Sequence, residues 1–214
     1  MTVPHRARVG IRGGRAVAAA PVCIVAALSF ALSGCSAADQ PLDLRTAAPA
    51  QQVQAASALS PAPPTWIEIP RIGARSSLLP MGLNPDRTVE TPSVHEPMQA
   101  GWYRYSPTPG EVGPAVVLGH VNGDGQDGIF ARLDELRPGD EVRIGREDGQ
   151  VARFVVHRMA QEPKSGFPRD EVYGDTTDPQ LRLITCGGSF DRSARSYRDN
   201  IIAFATFVGA VQGG

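Results

Sequence analysis

Pro114-Ala-Val-Val-Leu-Gly-His120 and Leu181-Arg-Leu-Ile-Thr-Cys-Gly-Gly188 decide how this chain folds. Each is a short apolar run that ends on a histidine or on a cysteine followed by two glycines. Runs of this length, bounded by Gly or Pro, read as buried strands and not as helices, which need ten residues or more. The same pattern continues outward. Trp66-Ile-Glu-Ile69 alternates with period two and stops at Pro70. Arg137-Pro-Gly-Asp140 turns the chain into a further strand at residues 141–144. Residues 150–157 form another, with Val151, Phe154 and Val156 apolar, and residues 200–207 form the last. Ile129, Leu133 and Leu136 share one helical face, which predicts a short helix over 128–136. Residues 159–179, rich in Pro, Gly and Asp, read as a long polar loop, and loops of that length in compact domains are usually functional. With 23 Gly and 19 Pro in 214 residues, the expectation is an all-β barrel with one or two short helices.

The first third has a different character. Residues 1–15 hold Arg6, Arg8, Arg12 and Arg15 and no acid, and residues 16–32 are uncharged and apolar. Leu32-Ser-Gly-Cys35 follows. A basic start, an apolar stretch and small residues describe an export signal. The ending resembles a bacterial lipobox, which makes Cys35 the candidate lipidation site; an uncleaved signal anchor is the alternative. Residues 1–35 are therefore assigned to export and 36–64, dominated by Ala, Pro, Gln and Ser, to a tether. Residues 65–210 form the folded domain. Either anchor places that domain on the extracytoplasmic face of the membrane.

Leaving out the four arginines of the export segment, 17 basic side chains face 22 acidic ones, a net charge of −5. A mildly acidic domain with scattered arginines has no surface for tracking phosphates, so nucleic acid is not an expected partner. No cysteine pair has zinc spacing and no glycine loop suits a phosphate, so neither metal nor cofactor is expected. Asn122-Gly-Asp-Gly-Gln-Asp127 lacks the terminal Glu of a calcium loop and reads as a turn.

Of three cysteines, Cys23 and Cys35 lie in the export segment, leaving Cys186 as the one thiol of the domain. It is a core residue or a nucleophile, and its place at a strand end before Gly187 and Gly188 favours the nucleophile. A thiol enzyme needs a proton donor for its leaving group. His120, closing an apolar strand, is the candidate, ahead of His157 within a strand, His95 between two prolines and His5 in the export segment. Arg198, just before the final strand, could steady an oxyanion, but spacing alone does not separate it from Arg192 and Arg195.

Taken together, Val116-Val-Leu-Gly-His120, the run Gly128-Ile-Phe-Ala-Arg-Leu-Asp-Glu-Leu-Arg-Pro-Gly-Asp140, and Leu183-Ile-Thr-Cys186 ahead of an arginine-led last strand resemble the sortases. Trp102-Tyr-Arg-Tyr-Ser106, Thr185-Cys-Gly-Gly-Ser-Phe-Asp191 and Tyr197-Arg-Asp-Asn200 are most similar to class F. The resemblance spans residues 65–208 and implies an eight-stranded sortase barrel and a cysteine transpeptidase. It implies Cys186 as nucleophile, His120 as acid/base and Arg198 as the oxyanion and substrate arginine, with Thr185 and Gly187 in support. The implied partners are exported proteins with a C-terminal sorting signal of the Leu-Pro-x-Thr-Gly kind and an amine of a cell-wall precursor. The departure is at the N-terminus, where sortases carry a transmembrane anchor and this chain has the lipobox-like ending. The strand-end cysteine after Ile-Thr, downstream of the histidine, argues against an L,D-transpeptidase or a papain-like hydrolase. A binding lipoprotein with a structural Cys186 is the alternative from another class.

Overall fold

The computed structural model describes residues 56–213. The export segment, Cys35 and most of the tether lie outside them. Eight strands close into a barrel: β1 (Pro64–Ile69), β2 (Ala74–Met81), β3 (Ala100–Tyr103), β4 (Gly113–Gly119), β7 (Glu141–Arg146), β8 (Gln150–Pro163), β9 (Pro179–Asp191) and β10 (Ser196–Gln212). Their order around the barrel is β1-β2-β3-β4-β9-β10-β8-β7, and β7 returns to β1. The remaining strands, β5 (Asn122–Gly123) and β6 (Gln126–Asp127), form a separate hairpin. Asp124 and Gly125 make its two-residue turn with φ of 47° and 73°, the positive pair that a type I′ turn requires.

Strand alternation builds two apolar layers. Ala115, Val117, Leu181, Leu183, Ala203, Ala205 and Phe207 point into the barrel with Ile67, Ile144 and Phe154. Their neighbours Val116, Leu118, Ile184, Ile202 and Phe204 point outward and are covered by Val172 of α1 (Arg169–Tyr173), with Val89, Tyr103 and Phe167 packed alongside. Because β4, β9 and β10 are buried on both faces, they read in the sequence as continuous apolar runs and not as alternating ones.

The all-β expectation holds, with differences in extent. Ile129, Leu133 and Leu136 are buried as the helical pattern requires, yet only residues Leu133–Glu135 form a turn of 3-10 helix. The N–H groups of Ala131, Leu133, Glu135 and Leu136 donate to the carbonyls of Gly128, Phe130, Arg132 and Leu133, three residues back, so the segment winds as successive tight turns and not as an α-helix. The loop expected over 159–179 is shorter: β8 continues to Pro163 because it pairs with β10 from Asp199↔Pro163 onward, and α1 occupies part of the rest. Residues 56–63, assigned by composition to the tether, lie along the barrel. Leu59 N–H donates to the Gly110 carbonyl, and the buried Arg146 guanidinium donates to the Ser60 and Pro109 carbonyls and to Asp148. Backbone carbonyls meeting one buried cation hold a segment whose own side chains bury little.

Candidate functional site

β4 and β9 run parallel, with Leu118↔Ile184 their last paired residues. Two residues past that pair come Cys186, within β9, and His120, one residue beyond the end of β4. Cys186, within β9, continues the outward parity of Ile184. On the other side of β9, Cys186 pairs directly with Asn200 of β10. Cys186 is half-buried and belongs to neither apolar cluster. It lines a hollow of about 330 Å3 with Val121, Phe130, Thr185, Gly187, Gly188 and Tyr197 among others.

His120 is held from outside its strand. One ring nitrogen, Nε2, lies 2.7 Å from the carbonyl of the buried Pro92 in the β2–β3 connection. A carbonyl only accepts, so Nε2 carries the proton, and in the neutral ring the lone pair is on Nδ1. The same connection reaches the β5–β6 hairpin that follows His120: His95 Nδ1 is 2.8 Å from Asp124, and a Cβ on Gly123 would meet the Val94 carbonyl at 2.2 Å. His95 thus serves the hairpin, while His157 is exposed on β8 and bonded to the Thr206 hydroxyl.

The residues around Cys186 have separate tasks. Thr185 points inward, 4 % exposed, and its hydroxyl has no hydrogen-bond partner among the described residues. A Cβ on Gly187 would meet Ile201 Cγ1 at 2.5 Å and Cδ1 at 2.8 Å, so core packing already demands glycine there. Gly188 has φ of 72° and lies against the Asp199 carboxylate, which accepts from Gln161 at 2.6 Å.

Beyond the thiol, β9 does not stop; it runs on to Asp191 and returns as β10. Asp191 caps the turn, accepting from the Ser193 hydroxyl at 2.6 Å and from the N–H groups of Ser193 and Ala194. These bonds, with Arg198 at 3.1 Å, hold its carboxyl well below the usual carboxylate range. Phe190 and Tyr197 stack edge to face across the hairpin. Arg198 occupies the β-bulge between Tyr197 and Asp199, with its side chain 66 % exposed and its guanidinium on Asp191. Arg192 and Arg195 are exposed in the connection. The structure therefore pairs Cys186 with Asn200 across β9 and β10, puts His120 just past the end of the neighbouring β4, and sets Arg198 on the neighbouring hairpin carboxylate. Two features were not legible in the sequence. The Pro92 carbonyl is backbone and leaves no motif. The alignment of Asn200 with Cys186 depends on the bulge at Arg198.

α1 is fixed over this face by Arg182, buried to 4 % exposure, which donates to the Glu171 carbonyl and to Gln180 and stacks on Phe204. Burial lowers its pKa to about 10, with Arg158 adding to the shift.

The domain is thus a closed eight-stranded barrel with a half-buried thiol within β9 and an imidazole just past the end of the parallel β4. The sortase-domain family model matches residues 67–208, and the chain belongs to the sortase family. Its fold is similar to that of sortase C1 from Streptococcus agalactiae, solved in complex with MTSET, at 16% identity and a TM-score of 0.53, covering 70% of this chain and 69% of that one. It is also similar to the SrtA sortase from Actinomyces oris, at 18% identity and a TM-score of 0.51, covering 74% and 86%. No curated protein sequence matches the chain.

Proposed function

We propose that this sortase is a membrane-tethered cysteine transpeptidase of the class F kind, working on the extracytoplasmic face on exported proteins with a Leu-Pro-x-Thr-Gly-like sorting signal. The Cys186 thiolate attacks the scissile carbonyl carbon. The tetrahedral intermediate collapses with loss of the C–N bond, and His120 gives a proton to the departing amine, leaving a thioester. An amine of a cell-wall precursor then attacks the thioester carbon and passes a proton to His120. The C–S bond breaks, and the Cys186 thiolate and the protonated His120 are restored. Arg198, freed from Asp191, grips the bound peptide, and Thr185 and Gly187 support the acyl group. Cys35 carries the lipid, or the segment around it the signal anchor.

The observation that supports this reading is the parallel register of β4 and β9, whose last pair, Leu118↔Ile184, comes two residues before His120 and Cys186. The test is transfer of a fluorogenic Leu-Pro-x-Thr-Gly peptide to an amine acceptor by the full chain. Product formation is expected to disappear in Cys186→Ala and His120→Ala and to fall in Arg198→Ala. A Cys186→Ala variant that still forms product would end the proposal. A Cys186 that alkylates only after unfolding would favour a binding lipoprotein with a structural cysteine.

A further inference from the structure

We infer that Asn200 is a catalytic residue of this site: its side-chain amide donates to the oxyanion that forms when the Cys186 thiolate attacks a carbonyl. The inference rests on the thiol-enzyme reading of Cys186 and adds a donor to it. Asn200 is the direct cross-strand partner of Cys186 in the antiparallel β9–β10 pair. Directly opposed residues share a face, with Cβ atoms about 4.5–5.5 Å apart. That face is the outward one, since Ile184 and Ile202, each two residues back toward the barrel, both belong to the outer cluster. On the other side of β9 from Asn200, His120 lies one residue past the end of β4. The proton donor and the amide thus flank the sulfur on opposite sides, where a leaving amine and an oxyanion diverge from one tetrahedral carbon.

The carboxamide is also available. Asn200 is half-buried, and among the described residues its side chain makes no hydrogen bond, whereas its neighbours on the strand are engaged: Asp199 accepts from Gln161, Arg198 donates to Asp191, and Tyr197 O–H accepts from Asn122. A partly desolvated amide with a free N–H2 next to a nucleophile is suited to stabilising charge that appears only in the transition state. The inference places the effect of the amide on the oxyanion of the attacked carbonyl and not on displacement chemistry at the sulfur.

That distinction supplies a test independent of the sorting motif. p-Nitrophenyl acetate acylates a thiol through a tetrahedral oxyanion, releasing p-nitrophenolate and leaving an S-acetyl group; iodoacetamide alkylates the same sulfur by displacement of iodide, with no oxyanion. Both rates are measured at Cys186 in the full chain, with Cys186→Ala as the blank and peptide mapping to exclude Cys23 and Cys35. Asn200→Ala and Asn200→Leu, the second close in size and without a donor, should each slow acylation at least about tenfold while alkylation stays within about twofold. The alkylation rate also reports that the site is folded. Equal slowing of both reactions, or of neither, would overturn the role of Asn200 and leave the thiol enzyme intact. Failure of Cys186 to alkylate in the folded wild-type protein would overturn both.

Discussion

Thr185→Val should raise the stability of the protein while lowering its activity. Thr185 is the residue before Cys186, 4 % exposed, with a hydroxyl that meets no partner among the described residues. Burying a hydroxyl without a hydrogen bond costs about 1–3 kcal/mol by protein mutational measurements. Valine replaces that hydroxyl by a methyl of nearly the same size and keeps the β-branching that suits its place in β9. The gain is therefore about 1–3 kcal/mol, a rise in Tm of roughly 2–12 °C for a domain of this length. Thermal unfolding followed by circular dichroism, with a urea titration in parallel, measures it. If the hydroxyl supports the acyl intermediate, peptide transfer falls by about tenfold or more in the same variant, one missing donor being worth that much in an acyl-transfer site. A lower Tm in Thr185→Val would refute the reasoning, since it would mean that the hydroxyl is satisfied in the folded protein.

Further substitutions test other parts of the account. Gly119→Ala sets a Cβ 2.6 Å from Ile129 Cγ2 and 2.7 Å from Phe130 Cδ2, both buried, so overpacking should cost about 1–3 kcal/mol in urea unfolding and slow the reaction through the adjacent His120. Arg146→Met removes the fully buried guanidinium that joins Ser60, Pro109 and Asp148; a loss of about 3 kcal/mol is expected, with faster amide exchange at Leu59 and Ala62. The Asp191 carboxyl is held below its ordinary value of 3.8 by the Ser193 hydroxyl, the Ala194 and Ser193 N–H groups and Arg198. A depressed carboxylate contributes stability that is complete above the unfolded value and fades as pH falls through the folded one. Amide exchange in residues 192–197 should therefore stay slow from neutral pH down to about 4 and quicken only below it, whereas Asp191→Asn should exchange fast throughout.

The strands whose apolar faces are both buried were the legible part of the fold. Residues 114–120 and 181–186 carry enough β-branched surface to declare themselves, and both nominated the residues at their ends. β2 did not, because its Ser76, Ser77 and Pro80 break any alternation, and β3 has only four residues. The ends of β8 and β10 were hidden for a related reason: Gln161, Glu162 and Pro163 are in a strand because Asp199, Asn200 and Ile201 pair with them, which no local pattern records. Among the candidate site residues, a thiol and an imidazole could be nominated by chemistry alone. Choosing among arginines could not, since the facing of residues 196–200 is set by a single bulge. The Thr185-to-Asn200 motif proves to be largely a hairpin specification, with Gly188 for a positive φ, Asp191 as the cap, Phe190 on Tyr197 and Arg198 on Asp191.

The most direct test of the central claim is intact-mass spectrometry of the full chain mixed with a Leu-Pro-x-Thr-Gly peptide, quenched in acid within seconds. The account predicts a mass increase equal to the peptide fragment ending in Thr, mapped to Cys186, discharged by hydroxylamine or an amine acceptor and absent in Cys186→Ala. Cleavage of the peptide with no adduct on Cys186, or an adduct that survives in Cys186→Ala, would contradict it.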